Sequence, residues 1–335
     1  FTGMPLVAPS AIPCPLNREM PRALSLDEVA AMERAFADAA VRVAAAGFDG
    51  VELHAAHGYL PSSFLSAYSN KRADRYGGSL ENRMRFVLNI VDAIVARARI
   101  PLIVRFSAEE FVADGNTLEQ TVRIARALQE HGAAALSVSV GVYESFNAMS
   151  MVGGEAEGKW LHLARAVRAA VSIPVLGVGR IKRPEVAEQA LRDGDCDLPL
   201  FGRAAIADPD LPDKAARDEE QSILWCLGCN ICLGRSSRPE TICPVNPAVG
   251  RDARFEALLA APSPRPRRIA VVGRSLSALT AAWVAAKRGH RVTLTAVDSC
   301  GNVVESAATI CQDQGYTAEN LDLSTWNFEG SARWD

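Results

Sequence analysis

The chain has 335 residues, 49% of them hydrophobic and 22% charged, with a formal net charge of −3. That length exceeds what one hydrophobic core organises, so two or three domains are expected, and interspersed charge of both signs leaves no electrostatic footprint for nucleic acid or an anionic membrane. No apolar run reaches the roughly 20 residues of a membrane-spanning helix and no basic-then-apolar leader opens the chain, so a cytoplasmic protein acting on small molecules is expected.

The opening residues, 1–13, read as a loop, and a start at Phe1 reads as an incomplete beginning. Residues 25–47 then carry a helical pattern: Ser25 precedes an acidic-first, Ala-rich run, and Gly47 stands where a helix stops. A strand follows at 51–54, and the alternation recurs. Helices at 80–98, 117–131, 161–171 and 184–192 lead into strands at 101–106, 135–140, 173–178 and 198–201. Five strands, each beside a helix, signal βα units and a parallel sheet. Polar residues gather where the strands end: His54 and His57, Arg105, Gly179 with Arg180, and Gly202 with Arg203. Active sites of eight-stranded barrels lie on that face, so the C-terminal part of a (β/α)8 TIM barrel is preferred to an open doubly wound sheet. Roughly three βα units, on the order of 100 residues, would then precede Phe1.

A Pro/Arg-rich stretch at 261–268 marks a linker. Behind it come a strand at 269–272, a turn at 273–278, a helix at 279–287 and a second strand at 291–294, the opening of a nucleotide-binding βαβ unit. Beyond residue 306 the periodicity fades. The expected organisation is a barrel over 1–221, a cysteine segment over 222–260 and a partial nucleotide-binding-like domain over 267–335.

Four of the eight cysteines fall in one short stretch, which reads as metal binding rather than disulfides. Cys226, Cys229 and Cys232 are spaced with two residues between neighbours, and Cys243 follows after ten. Three thiolates in one tight loop and a fourth returning from a distance can cap a [4Fe-4S] cube. The alternative is structural zinc, whose four-cysteine sites are more often two separated knuckles. Cys14, Cys196, Cys300 and Cys311 are scattered and receive no role.

The segment Cys226-Leu-Gly-Cys-Asn-Ile-Cys232 with Cys243-Pro-Val-Asn-Pro247 resembles the cluster loop of the iron–sulfur branch of the old yellow enzyme family, which includes dienoyl-CoA reductase, enoate reductase and trimethylamine dehydrogenase types. The stretch from His54-Ala-Ala-His57-Gly-Tyr59-Leu through residues 70–83 resembles the same family's fourth barrel strand and the loop after it. The likeness runs from Pro5 to about Leu294, and the cysteine spacing leans toward the amine dehydrogenases.

This resemblance implies FMN on the barrel's C-terminal face. His54 and His57 would hydrogen-bond a substrate carbonyl or carboxylate and stabilise the charge that develops as hydride arrives. Residues three apart on a strand point to opposite faces, so the two converge only if the chain turns between them, a turn assigned to Gly58 and Pro61. Metal binding or simple filling of the barrel mouth is the alternative. Tyr59, protonated at neutral pH, would donate to the adjacent carbon. Arg105 would offset the charge of a reduced flavin, unless it pairs with Glu52 or Glu109. Gly177 and Gly179, with Gly202 and Arg203, end the last two strands where barrels bind phosphate and would hold that of FMN. Residues 70–83 read as a structural loop, with Ser79 capping the next helix.

In the nucleotide-binding turn only Gly273 keeps its glycine. Ser275 stands where the backbone must approach a pyrophosphate, and Thr295-Ala296 where an acidic residue would hold the ribose, so FAD or ADP would bind weakly or not at all. Three functions remain open. The first is an oxidoreductase reducing an activated C=C bond of an enoyl or enoate compound with electrons from NAD(P)H. The second is an amine dehydrogenase or N-demethylase that passes electrons through the cluster to an electron-transfer protein. The third is a non-catalytic fragment that keeps the cluster for folding. Oligomeric state is not legible in the sequence.

Overall fold

The structure is a computed structural model, and it describes residues 5–15, 18–234, 241–273, 276–295 and 308–310. The chain divides into two compact units, 1–201 and 202–335.

The first unit opens with a short parallel pair, β1 (Val7–Ala8) and β2 (Arg22–Ala23). Helix α1 (Leu26–Ala45) starts at a full capping box: Ser25 Oγ accepts from the Glu28 N–H, and the Glu28 carboxylate accepts from the Ser25 N–H. The helix ends on Ala46, and Gly47 behind it takes φ +85° to turn the chain into β3 (Val51–Ala55). After β3 come α2 (Leu60–Leu65), α3 (Leu80–Ala98), β4 (Leu102–Ser107), α4 (Leu118–Glu130), β5 (Ala135–Ser139), α5 (Phe146–Met149), α6 (Leu161–Arg168), β6 (Val175–Gly177), α7 (Pro184–Arg192) and β7 (Leu198–Pro199). Helices α3 and α7 span the residues expected of them. Helix α6 stops three residues earlier than its sequence pattern, because the chain must turn at 169–172 to deliver Pro174 and β6.

The strands of the main sheet lie in chain order, β3-β4-β5-β6-β7, and every pair is parallel. An open doubly wound sheet reverses its strand order at a switch point; this one does not, as in the arc of a barrel. Register makes the two faces chemically different. Leu53, Val104 and Leu136 form one row across three strands, and Ala55, Phe106 and Val138 another. These rows face the helices and join Val29, Phe86, Ile90, Ile124, Leu128 and Val167 in one buried core. Each such side chain removed from water contributes about 1.5–3 kcal/mol. Between those rows, pointing the other way, runs His54–Arg105–Ser137.

The loop over 70–83 is held by its own side chains, as its composition predicts. Arg72 donates to the carbonyls of Pro9 and Leu24 and pairs with Asp74 at 2.6 Å. Asn70 bridges the carbonyls of Phe64 and Tyr76, and buried Arg83 donates to those of Leu65 and Gly78. Ser79 Oγ accepts from the Asn82 N–H and caps α3.

The second unit contains α8 (Arg203–Ala207), α9 (Leu211–Ala216), α10 (Asp252–Ala260), β8 (Arg268–Val272), α11 (Leu276–Lys287), β9 (Arg291–Thr295) and β10 (Ala308–Ile310). Strands β8 and β9 are parallel around α11, as the βαβ pattern predicts, with Leu279, Ala282, Ala286, Val292 and Leu294 buried between them. Two features differ from the sequence reading. Helix α11 begins three residues earlier, inside the expected turn, and β10 pairs antiparallel with β9 where periodicity had faded. Three residues are too few to establish an alternation. Arg274, Ser275, Ala296, Cys300 and Cys311 lie outside the described residues.

Candidate active site

The residues expected to do chemistry meet at the C-terminal ends of β3, β4 and β5. His54 sits on β3 in register with Arg105 on β4, which is in register with Ser137 on β5. The turn that brings His57 back beside His54 is made by His57 itself, at φ +62°, together with Gly58 at φ +78°. Pro61, assigned to that turn from the sequence, lies in the first turn of α2. A left-handed conformation at a non-glycine residue needs compensation. His57 finds it in Ser107, whose Oγ accepts from the His57 backbone N–H at 3.1 Å and donates to the Gly141 carbonyl at 2.8 Å.

The imidazoles then pack face to tilted face with ring centroids 5.0 Å apart. His57 Nδ1 lies 3.3 Å from His54 Nε2, and His57 Nε2 lies 2.7 Å from Ser139 Oγ. Both rings are held neutral: burial first, then the Arg105 charge, lowers each, and His57 falls to about 3 with its neighbour His54 adding to the effect. Tyr59 closes the group, its ring centroid 5.1 Å from that of His54 and its side chain about half exposed. Tyr143, from the loop after β5, donates its phenol to the Tyr59 oxygen at 2.7 Å. Burial and this contact raise the Tyr143 pKa, so it stays protonated.

Arg105 is the cation of the site. It donates to Ser137 Oγ at 3.0 Å and to Ser139 Oγ at 3.4 Å, both neutral partners. Neither Glu52 nor Glu109 forms an ion pair with it among the described residues, although Glu52 is near enough to support its charge. Burial lowers its pKa more than Glu52 raises it. A part-buried guanidinium with no ion pair among the described residues suits an anion delivered from outside the polypeptide.

Sequence reasoning missed Tyr143 and the serines 107, 137 and 139. A signal existed for the last two, since Ser137 and Ser139 alternate with apolar residues in a strand that otherwise reads as core. Tyr143 lies in a loop, where no periodicity marks it.

At the end of β6, a Cβ on Gly177 would stand 2.9 Å from Cys196 Cβ and 3.0 Å from Leu161 Cδ2, so tight packing already accounts for that glycine. Gly179 holds φ +156° with its carbonyl accepting from the Gly158 N–H at 2.7 Å. Gly202 and Arg203 belong to the second unit. A Cβ on Gly202 would meet open space, while Arg203 starts α8 and donates to Asn230 Oδ1 within the cysteine loop.

Cys226, Cys229, Cys232 and Cys243 are all free thiols. Asn230, at φ +60°, bends the loop between the second and third. Burial raises the pKa of Cys232 and of Cys243; the backbone N–H groups of Val245 and Asn246 oppose this at Cys243 and Arg203 opposes it at Cys232, while Cys226 and Cys229 add to the rise at both. Among the described residues no three such side chains close on a single metal ion. Gly273, at φ +140°, directs β8 toward α11 with Ala278 close behind it. Among the described residues no helix is long and apolar enough to cross a membrane.

Residues 6–222 match the model of the NADH:flavin oxidoreductase / NADH oxidase family. The chain is 42% identical over 297 residues to the NADH oxidase of Thermoanaerobacter brockii, an alignment that covers 87% of this chain and 45% of that protein. A solved complex of 2-naphthoyl-CoA reductase with 2-naphthoyl-CoA superposes with a TM-score of 0.78 at 33% identity, covering 86% of this chain and 44% of the other. Histamine dehydrogenase from Rhizobium sp. 4-9 gives 0.78 at 29% identity, with 89% and 44% covered. The chain thus spans under half the length of these relatives.

Proposed function

The chain belongs to the NADH:flavin oxidoreductase / NADH oxidase family, and on that premise we propose that it serves an FMN- and [4Fe-4S]-dependent oxidoreductase that reduces an activated C=C bond of an enoyl or enoate compound with electrons from NAD(P)H. The observation that carries this reading is the pair of neutral imidazoles beside a part-buried guanidinium that forms no ion pair among the described residues. When bound, FMN supplies the hydride, and Arg105 is the residue fitted to face its anionic reduced ring. The other residues act on the substrate. His54 donates a ring N–H to the acyl oxygen, where negative charge grows as the β-carbon is reduced. Tyr59, hydrogen-bonded to Tyr143, gives its phenolic proton to the α-carbon. Gly177 and Gly179 are proposed to approach the flavin phosphate, and Gly202 and Arg203 keep the same assignment on the sequence ground alone.

For the cluster the donor chemistry is suitable: three free thiols from one loop and a fourth from a later segment, although among the described residues no three of them close on one metal ion. When bound it supplies one-electron transfer. We assign 1–221 to the flavin part, 222–260 to the cluster and 267–335 to a domain with little dinucleotide affinity, and we place the reaction in the cytoplasm.

Amine oxidation is the second reading, favoured by the cysteine spacing and by the likeness to histamine dehydrogenase. The test begins with iron, acid-labile sulfide and flavin analysis of anaerobically prepared protein. Both cofactors together support an enzyme, a cluster without flavin supports a non-catalytic fragment, and zinc in place of iron removes the electron-transfer account. Turnover of an enoyl thioester with NAD(P)H, set against turnover of trimethylamine, then separates the two reactions.

A further inference from the structure

The hydrogen bonds around His57 leave little freedom for its ring proton. Ser139 Oγ lies 2.7 Å from His57 Nε2 and accepts from the Arg105 guanidinium at 3.4 Å. Arginine only donates, so the serine's single proton remains to be given away. Ser139 is buried, and among the described residues His57 Nε2 is the only acceptor its hydroxyl meets. A proton on His57 Nε2 would strand that hydroxyl inside the protein, a costly arrangement. The Ser139 hydroxyl therefore donates, and His57 Nε2 accepts. A neutral His57 must then carry its proton on Nδ1, which faces His54 Nε2 at 3.3 Å. His54 Nε2 accepts in turn, so a neutral His54 carries its proton on Nδ1, a nitrogen with no hydrogen bond among the described residues.

We propose that Ser139 is a positioning residue that fixes the tautomers of the histidine pair, holding the His57 ring proton on Nδ1 and leaving the Nδ1–H of His54 outside the relay. The relay runs in one direction, from Arg105 through Ser139 and His57 to His54. This deepens the proposed function, on which it rests only for what the free N–H meets: an acyl oxygen in C=C reduction.

Histidine-selective isotope labelling of the full chain with long-range proton–nitrogen NMR reads the tautomers directly. With only five histidines, a His57→Gln variant assigns the signal. In the wild type, the unprotonated nitrogen of His57 should be Nε2. Ser139→Ala should move the tautomer ratio toward Nε2–H by on the order of tenfold, the scale of one lost hydrogen bond. Ser139→Thr, which keeps the hydroxyl, should retain the wild-type pattern. A wild-type His57 protonated on Nε2 would overturn the proposal even if no variant folded. So would a folded Ser139→Ala protein with an unchanged ratio, or a Thr variant that behaves like the Ala variant. The spectra need no substrate, so a wrong function appears as absent turnover with the expected tautomer, and a wrong relay as the opposite tautomer whatever the turnover.

Discussion

Acidification offers a direct test of the part-buried His57. In the native protein burial, then Arg105, then His54 lower the pKa of His57 to about 3, whereas the unfolded chain has the ordinary value of 6.5. Between these values the unfolded state holds a proton that the native state refuses, so stability falls as pH falls. The loss begins near the unfolded pKa and continues until the folded pKa is reached, at about 1.4 kcal/mol per pH unit. Going from neutral pH to about 4.5 should therefore cost about 2 to 3 kcal/mol through this one group. Carboxylates also titrate at the acid end, but they do so equally in a His57→Asn variant. The informative quantity is the difference between the two proteins in urea-unfolding free energy across that range. Wild-type protein should lose stability more steeply than the variant by roughly the stated amount. Parallel curves would refute the reasoning, because they would mean that the imidazole accepts a proton in the folded site as readily as in water.

Other substitutions separate chemistry from scaffolding. Tyr59→Phe should lower kcat for enoyl reduction by about 10²- to 10⁴-fold while NAD(P)H still reduces the flavin at the wild-type rate; stopped-flow measurement of the two half-reactions decides it. Cys243→Ala should strip iron and acid-labile sulfide but leave flavin content unchanged, as elemental analysis and flavin absorbance would report. Gly177→Ala forces a methyl group against Cys196 and Leu161, and should cost about 1–3 kcal/mol of urea-unfolding free energy whether or not the glycine also approaches a phosphate.

Much of the fold was legible because its signals are local. Ser25 with the acidic run behind it, Ser79 and Pro184 announce helix starts, and the helices they open begin there. The parallel sheet followed from alternation alone, since each strand pairs with the next one along the chain. The site was legible only in part. His54, His57, Tyr59 and Arg105 stood out because imidazole, phenol and guanidinium are conspicuous at strand ends. Ser139 and Tyr143 did not, because their importance comes from register and loop closure, which bring residues 82 and 84 positions apart within hydrogen-bond distance. Pro61 was assigned to the turn on its usual behaviour; the φ +62° at His57 could not be read from an imidazole's ordinary preferences.

The same three strands build the core and the candidate site, and the pleat keeps the two apart. One residue along from the row His54–Arg105–Ser137 lies Leu53–Val104–Leu136, wholly apolar and turned to the helices. Burying the second row against α3 and α4 therefore fixes the register of the first, since a slip by one position would drive Arg105 into the core and Val104 into the site. The guanidinium needs no counter-ion of its own to stay in place. Its position is enforced from the opposite face of the sheet, by hydrophobic contacts that make no use of its charge, and this leaves that charge available to an anion the polypeptide does not itself provide.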